Sequence, residues 1–294
     1  MTEPVAEPDV RRFYEENYRE ADRLTGSPHG QAEFLRTQEL LRRLLPGPPA
    51  IILDVGGGPG IYARWLAADG YAVHLIDLVP GHARAARAAR PAATAHVAAR
   101  AARTAQGART ARGAATLSAS VGDARRLPAG GGTADAVLML GPLYHLTERA
   151  DRVTALREAA RAARPGGMVI AAAISRNAAL MDMTQQGRIT AATLPGLLDA
   201  YATGINDPGT GFTTAYFHRP EELAAEFSAA GLPGPQVFGI EGPLWPLLDA
   251  VGVQASDPLF INAMTCARTF ETDPAIIGAS SHLLAAVRVS RAGR

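Results

Sequence analysis

The fold is decided by the stretch IILDVGGGPG at residues 51–60. Its first five residues form an apolar run interrupted only by Asp54, which is typical of a strand buried inside a parallel sheet. Glycines then recur at alternate positions, Gly56, Gly58 and Gly60, and a helix pattern follows from 61 to 68. A strand, a glycine turn and a helix in this order bring backbone N–H groups and a helix N-terminus against a ligand.

The alternation of strands and helices continues along the rest of the chain. Strands are predicted at 72–77, 115–121, 135–140, 168–174, 237–240 and 283–289, and helices at 81–90, 148–163 and 220–230. This alternation favours an α/β fold in which a mostly parallel sheet carries helices on both faces.

We expect a single domain over residues 1–294, with its core at 50–174. Two predicted helices over 1–48 precede the core and would form an N-terminal helical cap. The segments 175–215 and 243–272 break the alternation with helical pieces. We therefore interpret both segments as insertions of a helical cap over the site.

The composition excludes several kinds of chemistry. All 29 residues counted as Lys or Arg are Arg, and the absence of Lys excludes both Schiff-base catalysis and a lysine-containing phosphate loop. Cys266 is the only cysteine and the 7 histidines lack zinc-binding spacing, so we expect no metal; a metal site would have to use carboxylates. The net charge is +1 and no apolar run approaches the roughly 18 residues of a membrane span, so we expect a cytoplasmic protein without a membrane partner.

Residues 91–114 form a low-complexity insertion rich in Ala and Arg. No acidic residue lies between Leu78 and Gly122. One interpretation is a weakly helical extension of the preceding helix, and the other is a basic arm that docks on RNA. We favour the first and do not expect a nucleic-acid partner, because the insertion has no Phe, Trp or Tyr to stack on bases.

The glycine pattern discriminates among nucleotide and nucleoside ligands. A dinucleotide fingerprint would require glycine three positions after Gly58, where the chain has Ile61. The observed spacing, Asp54-x-Gly56-x-Gly58-x-Gly60, resembles motif I of the class I methyltransferases. This resemblance implies a Rossmann-like fold with a seven-stranded, mostly parallel sheet, and S-adenosylmethionine (SAM) as the cofactor.

Two carboxylates follow predicted strands. Asp77 ends the second strand 21 positions after Gly56, close to the spacing at which a carboxylate meets ribose hydroxyls; the alternative is a helix cap. Asp123 follows the third strand and resembles the family residue that accepts a hydrogen bond from the adenine amino group; the alternative is a plain turn residue.

The resemblance implies cofactor contacts at ten positions, namely Asp54, Gly56, Gly57, Gly58, Gly60, Asp77, Asp123, Ala124, Leu140 and Gly141. An eleventh candidate is Arg36, which lies on the second predicted helix together with Glu33. Its guanidinium group would bind the cofactor carboxylate through two hydrogen bonds, and a surface ion pair is the alternative.

The segment GPLYHL at residues 141–146 occupies the place of the family's motif IV, which borders the methyl group. His145, with a pKa expected near neutral, is the candidate that takes a proton from the acceptor, and Tyr144 is the candidate that orients it. The alternative for His145 is a structural role, as a helix cap or in the wall. Amino-methyltransferases of nucleic-acid bases carry an acidic or amide residue before Pro-Pro-Tyr/Phe, and Gly141 and Leu143 depart from that pattern.

Five side chains outside the central core are candidates for acceptor binding: Tyr14, Tyr18, Tyr216, His218 and Trp245. Aromatic lining would favour a flat or apolar small molecule, although ordinary core packing also explains such residues. The motifs are similar to those of bacterial natural-product methyltransferases, among them enzymes that methylate indole C3. A tRNA or rRNA methyltransferase and a SAM-binding module without catalysis stay open as alternatives, and so does the oligomeric state.

Overall fold

The computed structural model describes residues 23–88, 115–206 and 213–290. The Ala- and Arg-rich insertion at 91–114 lies outside the described residues, and so do Tyr14, Tyr18 and the first of the two predicted N-terminal helices. The predictions for these parts of the chain stay predictions.

A seven-stranded sheet forms the centre of the described chain, with the strand order β3-β2-β1-β4-β5-β9-β8. Its strands are β1 (Ile51–Val55), β2 (Ala72–Asp77), β3 (Thr116–Val121), β4 (Ala134–Met139), β5 (Ala163–Ile174), β8 (Gln236–Gly239) and β9 (His282–Arg288). A separate hairpin pairs β6 (Ile205–Asn206) with β7 (Ala215–Tyr216). Only β9 runs antiparallel to its neighbours in the large sheet, which confirms the predicted mostly parallel fold.

Helices connect the strands and cover the sheet. They are α1 (Pro28–Leu44), α2 (Ile61–Ala68), α3 (Pro80–Ala88), α4 (Pro142–His145), α5 (Arg149–Ala162), α6 (Ala178–Gln185), α7 (Leu194–Thr203), α8 (Pro220–Ala229), α9 (Trp245–Val251) and α10 (Pro258–Thr269). Within the described ranges, none of these helices combines the length and the apolarity that a membrane crossing needs.

The two faces of the sheet bury separate apolar clusters. Ile52 of β1 belongs to one cluster together with side chains of α1, α2 and α3, such as Leu66. Its neighbour Leu53 belongs to the other cluster, together with side chains of α5 and α8, such as Phe227. Successive strand residues point to opposite faces, so the continuous apolar strands predicted from the sequence serve both clusters.

The structure departs from the predicted elements in a few places. β5 begins at Ala163 rather than at 168, because Ala163 pairs with Ala134 before the register shifts. The sequence did not indicate α4 or the β6–β7 hairpin, since elements of four and two residues are too short to show a period.

Candidate active site

The glycine turn between β1 and α2 has a backbone conformation that would be strained for residues other than glycine. Gly56, Gly58 and Gly60 have φ values of 68°, 56° and 86°, in the left-handed region. A Cβ at Gly56 would also lie 2.5 Å from Pro142 Cγ, so the turn packs directly against the start of α4. Gly60 itself does not line the cavity described below; it precedes α2 as its N-cap residue. Its predicted contact with the cofactor stays a prediction.

Asp54 lies beneath this turn as a buried carboxylate. Its side chain is fully buried, and neither oxygen has a hydrogen-bond partner among the described residues. Burial, with the nearby charge of Asp77, raises the pKa of Asp54 to about 7. A Cβ at Gly57 would lie 2.4 Å from Asp54 Oδ2, so this carboxylate requires a glycine at position 57.

Asp77, at the end of β2, fixes the glycine turn. Its Oδ2 accepts a hydrogen bond from the backbone N–H of Gly58 at 2.8 Å, and its Oδ1 accepts one from Val79 N–H at 2.8 Å. His82 Nδ1 lies 3.2 Å from Oδ1. Asp77 thus ties two loops together and also lines the cavity, so the structural and the binding interpretations are compatible.

Asp123 follows β3 and lines the same cavity. Its carboxylate accepts hydrogen bonds from Arg125, with Oδ2 2.6 Å from Nη2, and Arg125 also binds Asp151 at 2.9 Å. Ala124 lines the cavity beside them. Hydrogen bonds with Asp123 and Asp151 raise the pKa of the Arg125 guanidinium.

These loops enclose a cavity of about 430 Å³ at the carboxyl ends of β1, β2 and β4. Leu140, Gly141, Tyr144 and His145 contribute to its wall, as the resemblance predicts. The rings of Tyr144 and His145 meet edge to face, with their centroids 4.5 Å apart. The motif I turn and the motif IV segment, far apart in the sequence, therefore border one space.

The pKa of His145 differs from the near-neutral value that we expected. Burial lowers it to about 4, and the negative charge of Asp77 offsets this only in part. The imidazole is therefore neutral at physiological pH, and the expectation of a near-neutral base is wrong.

Arg36 is not part of this cavity, contrary to our prediction. It is buried, and its guanidinium donates to the backbone oxygen of Ile240 at 3.2 Å, to Glu39 at 2.5 Å and to Glu271 at 2.6 Å. These contacts join α1 to the far end of the chain. Arg36 is a structural residue here, because its donors bind Ile240, Glu39 and Glu271.

Two of the predicted acceptor residues belong to a buried ionic network instead of the cavity. His218 Nε2 lies 3.1 Å from Glu226 Oε2, and Glu226 binds Arg152 at 2.7 Å, which joins α8 to α5. Tyr216 lies under the same arginine, whose Cζ is 3.7 Å from the ring centroid. Neither residue lines the cavity, so we correct both predictions.

Trp245 also lies outside the cavity. Its side chain is buried, and Nε1 donates to the backbone oxygen of Ala279 at 3.1 Å. No described residue of 175–215 or 243–272 lines the cavity, so the covering role of these segments stays a prediction.

Several residues that line the cavity were not predicted from the sequence, among them Arg23 and Tyr62. Arg23 precedes α1 and donates to both carboxylate oxygens of Glu33, at 2.5 and 2.9 Å. Tyr62 follows the glycine turn on α2, and this position next to motif I was the available signal. No sequence pattern pointed to Arg23.

The residues around the cavity fit SAM. The buried carboxylate of Asp54 has unused acceptors, and an ionised carboxylate there suits the cationic methionine part of SAM. Asp77 can accept from ribose hydroxyls, and backbone N–H groups of the glycine turn border the same space.

The comparisons with known proteins agree with this fit. Residues 53–171 match a family model described as a methyltransferase domain, and no curated protein matches the sequence. A solved structure of a possible histamine N-methyltransferase from Thermotoga maritima is 16% identical, with 96% of this chain and 100% of that chain covered and a TM-score of 0.57.

Two SAM-dependent methyltransferases share the fold at 17% identity and a TM-score of 0.53. The match to the one from Methanosarcina mazei covers 86% of this chain and 98% of that chain. The match to the one from Mesorhizobium loti covers 86% and 97%. Residues 53–171 therefore form a SAM-dependent methyltransferase domain, and the cavity that this domain borders fits SAM as its cofactor.

Proposed function

We propose that the protein transfers the methyl group of SAM to a small aromatic or heterocyclic metabolite. The observation that carries this proposal is the ring-rich wall of the cavity, to which Tyr62, Tyr144 and His145 contribute. Aromatic walls bind flat acceptors through stacking and edge contacts, at little cost in side-chain entropy.

The size of the cavity supports a small acceptor. Its volume of about 430 Å³ is in the lower part of the range of roughly 300–1,000 Å³ that is typical of small-molecule sites. The same space has to accommodate SAM, so an acceptor enclosed with it occupies only the remainder.

When bound, SAM supplies a methyl group on a positively charged sulfur. Transfer is an in-line displacement, so residues that position the acceptor and exclude water provide most of the reduction of the barrier. The neutral imidazole of His145 can accept a hydrogen bond from an acceptor N–H or O–H, and Tyr144 packs against that ring. We assign His145 to orienting the acceptor, because a group with a pKa of about 4 is a weak base.

Within this proposal, the protein belongs to the bacterial natural-product branch, near the enzymes that methylate indole C3. The segment GPLYHL at 141–146 supports this, because Gly141 replaces the acidic or amide residue of the motif with which other methyltransferases bind nucleobase amines, and Leu143 replaces its second proline. An electron-rich indole carbon also needs no strong base before it attacks, which agrees with a neutral His145.

Methyl-labelled SAM tests the proposal directly. The purified protein is incubated with indoles, tryptophan-derived cyclic dipeptides, phenols, amines and bulk tRNA, and the label in each product is counted. We expect label in a small aromatic acceptor, with the methylated atom located by fragmentation. Label in tRNA alone would refute the proposal and favour the RNA methyltransferase. SAM binding without transfer to any acceptor would favour a module without catalysis.

A further inference from the structure

Four side chains that the proposed function does not use converge between α1 and the last two strands. His29 and Glu33 are one helical turn apart on α1 and share a face. Glu241 follows β8 and His282 begins β9. One ligand atom from each of the four lies within 4.8 Å of the others.

The separations within this cluster suit a small ion. His282 Nδ1 is 2.5 Å from Glu241 Oε1 and 3.8 Å from Glu33 Oε2, while His29 Nε2 is 3.5 Å from Glu241 Oε1. Bonds of about 2.1 Å in a tetrahedral site place neighbouring ligand atoms about 3.4 Å apart. Some of the observed distances are shorter than this value and others are longer. Binding of an ion would therefore require His282 Nδ1 and Glu241 Oε1 to move about 1 Å farther apart.

Groups behind the cluster hold the Glu241 carboxylate and the backbone of His29 in place. The second oxygen of Glu241 accepts from Ser280 Oγ at 2.7 Å and from the backbone N–H of His282 at 3.0 Å. Asp249 accepts from the backbone N–H of His29 at 2.9 Å, and its Oδ2 is 3.9 Å from His29 Nδ1. A carboxylate behind the distal nitrogen of an imidazole is the common outer shell of metal-bound histidines.

The environment of His29 points to a ligand independently of the distances within the cluster. Its Nε2 atom is buried and has no hydrogen-bond partner among the described residues, although Glu241 Oε1 lies at 3.5 Å. The ring packs on Trp245 at a centroid distance of 4.5 Å, which shields it from water. A buried nitrogen that faces carboxylates without bonding to them is a ready ligand for a cation.

We propose that His29, Glu33, Glu241 and His282 bind one divalent transition-metal ion. Two imidazole nitrogens and two carboxylate oxygens favour zinc, or another first-row ion such as cobalt, over magnesium or calcium. Glu33 can bind the ion while it accepts from Arg23, because a carboxylate offers about four lone-pair sites. The proposal stands independently of the identity of the acceptor.

The site borders the methyl-transfer cavity. Glu33 and His282 line a small space of about 10 Å³ together with Tyr62, Leu140 and Tyr144. The last three residues also line the main cavity, so the bound ion lies behind its ring-rich wall. The ion would therefore stabilise the packing of α1 against that wall.

Titration with cobalt(II) chloride tests the site by the visible absorption of the bound ion, independently of activity. The full-length protein is first stripped with a chelator, and zinc(II) is added at the end as a competitor. We expect about one equivalent of cobalt to bind per chain and zinc to displace it. The variants His29→Ala and His282→Ala should lose this binding, and Asp249→Asn should weaken it by about 10- to 100-fold.

The matched control is His74→Ala, which removes an imidazole that bonds to Ser118 and Ser120 and lies outside the cluster. It should bind cobalt as the wild type does. Circular dichroism establishes whether each variant folds. If a histidine variant does not fold, Asp249→Asn is the variant that tests the site. The proposal is overturned if the wild type binds neither cobalt nor zinc, or if the folded cluster variants bind them as tightly as the wild type.

Discussion

The replacement Asp54→Asn removes the charged group of β1 from the wall of the cofactor cavity. In the folded protein Asp54 is fully buried, and burial together with Asp77 raises its pKa from the ordinary 3.8 to about 7. In the unfolded chain the same carboxyl ionises near its ordinary value. Between these two pH values the folded state therefore keeps a proton that the unfolded state has lost.

The sign and the size of the effect follow from this difference. Because the folded state binds more protons in the window, the free energy of unfolding falls as the pH rises from about 4 to about 7, and then levels off. The loss is about 4 kcal/mol, since each unit of pKa corresponds to about 1.4 kcal/mol. Asp54→Asn cannot ionise, so its stability relative to the wild type should rise by about 4 kcal/mol across the window.

The titration of His145 changes the stability in the opposite direction, so its contribution has to be separated from that of Asp54. Burial lowers its pKa from 6.5 to about 4, so protonation of the unfolded chain reduces stability as the pH falls through that range. The slope of the wild type alone therefore mixes both groups. The difference between the wild type and Asp54→Asn cancels the contribution of His145.

Urea denaturation of the ligand-free proteins at a series of pH values measures this difference. The control is Asp69→Asn, whose parent side chain is 42% exposed and 3.9 Å from Arg42. This control measures what the replacement of an exposed aspartate by asparagine does on its own. A constant difference between the wild type and Asp54→Asn over the whole window would refute the raised pKa of Asp54.

Three further predictions concern packing, the ionic network and turnover. Gly57→Ala places a methyl group 2.4 Å from Asp54 Oδ2, so it should lower the free energy of unfolding by about 1–3 kcal/mol and weaken SAM binding measured by calorimetry. The control Gly196→Ala, whose added Cβ would have nothing within 4 Å, should do neither. Glu226→Gln leaves the buried Arg152 without its ionic partner and should lower the free energy of unfolding by about 3–5 kcal/mol in urea; a loss below 1 kcal/mol would contradict the network. His145→Ala should lower turnover of the acceptor by about 10²-fold with little change in SAM affinity, and unchanged turnover would remove His145 from the reaction.

The parts of the fold that the sequence predicts best depend on neighbours in the chain. The predicted bounds of β1, α2 and β2 agree with the structure, because each combines an apolar run with a turn signal at its end. The family resemblance predicts the seven-stranded, mostly parallel sheet, and the glycine spacing predicts one part of the cavity wall.

The failures share a physical cause, which is pairing between distant segments. Arg36 binds Glu271, 235 positions later, whereas His218 binds Glu226 and Tyr216 packs under Arg152. A sequence shows that such a residue is charged or aromatic but does not show which partner it meets. The cluster of His29, Glu33, Glu241 and His282 was missed for the same reason, since only its first two members share a helix.

A crystal structure of the protein with S-adenosylhomocysteine tests the central claim most directly. We expect the ribose at Asp77, the adenine beside Asp123 and the sulfur facing Tyr144 and His145, within the cavity between β1, β2 and β4. Binding outside this cavity, or with the adenine against Tyr144 and His145, would contradict the account of the site.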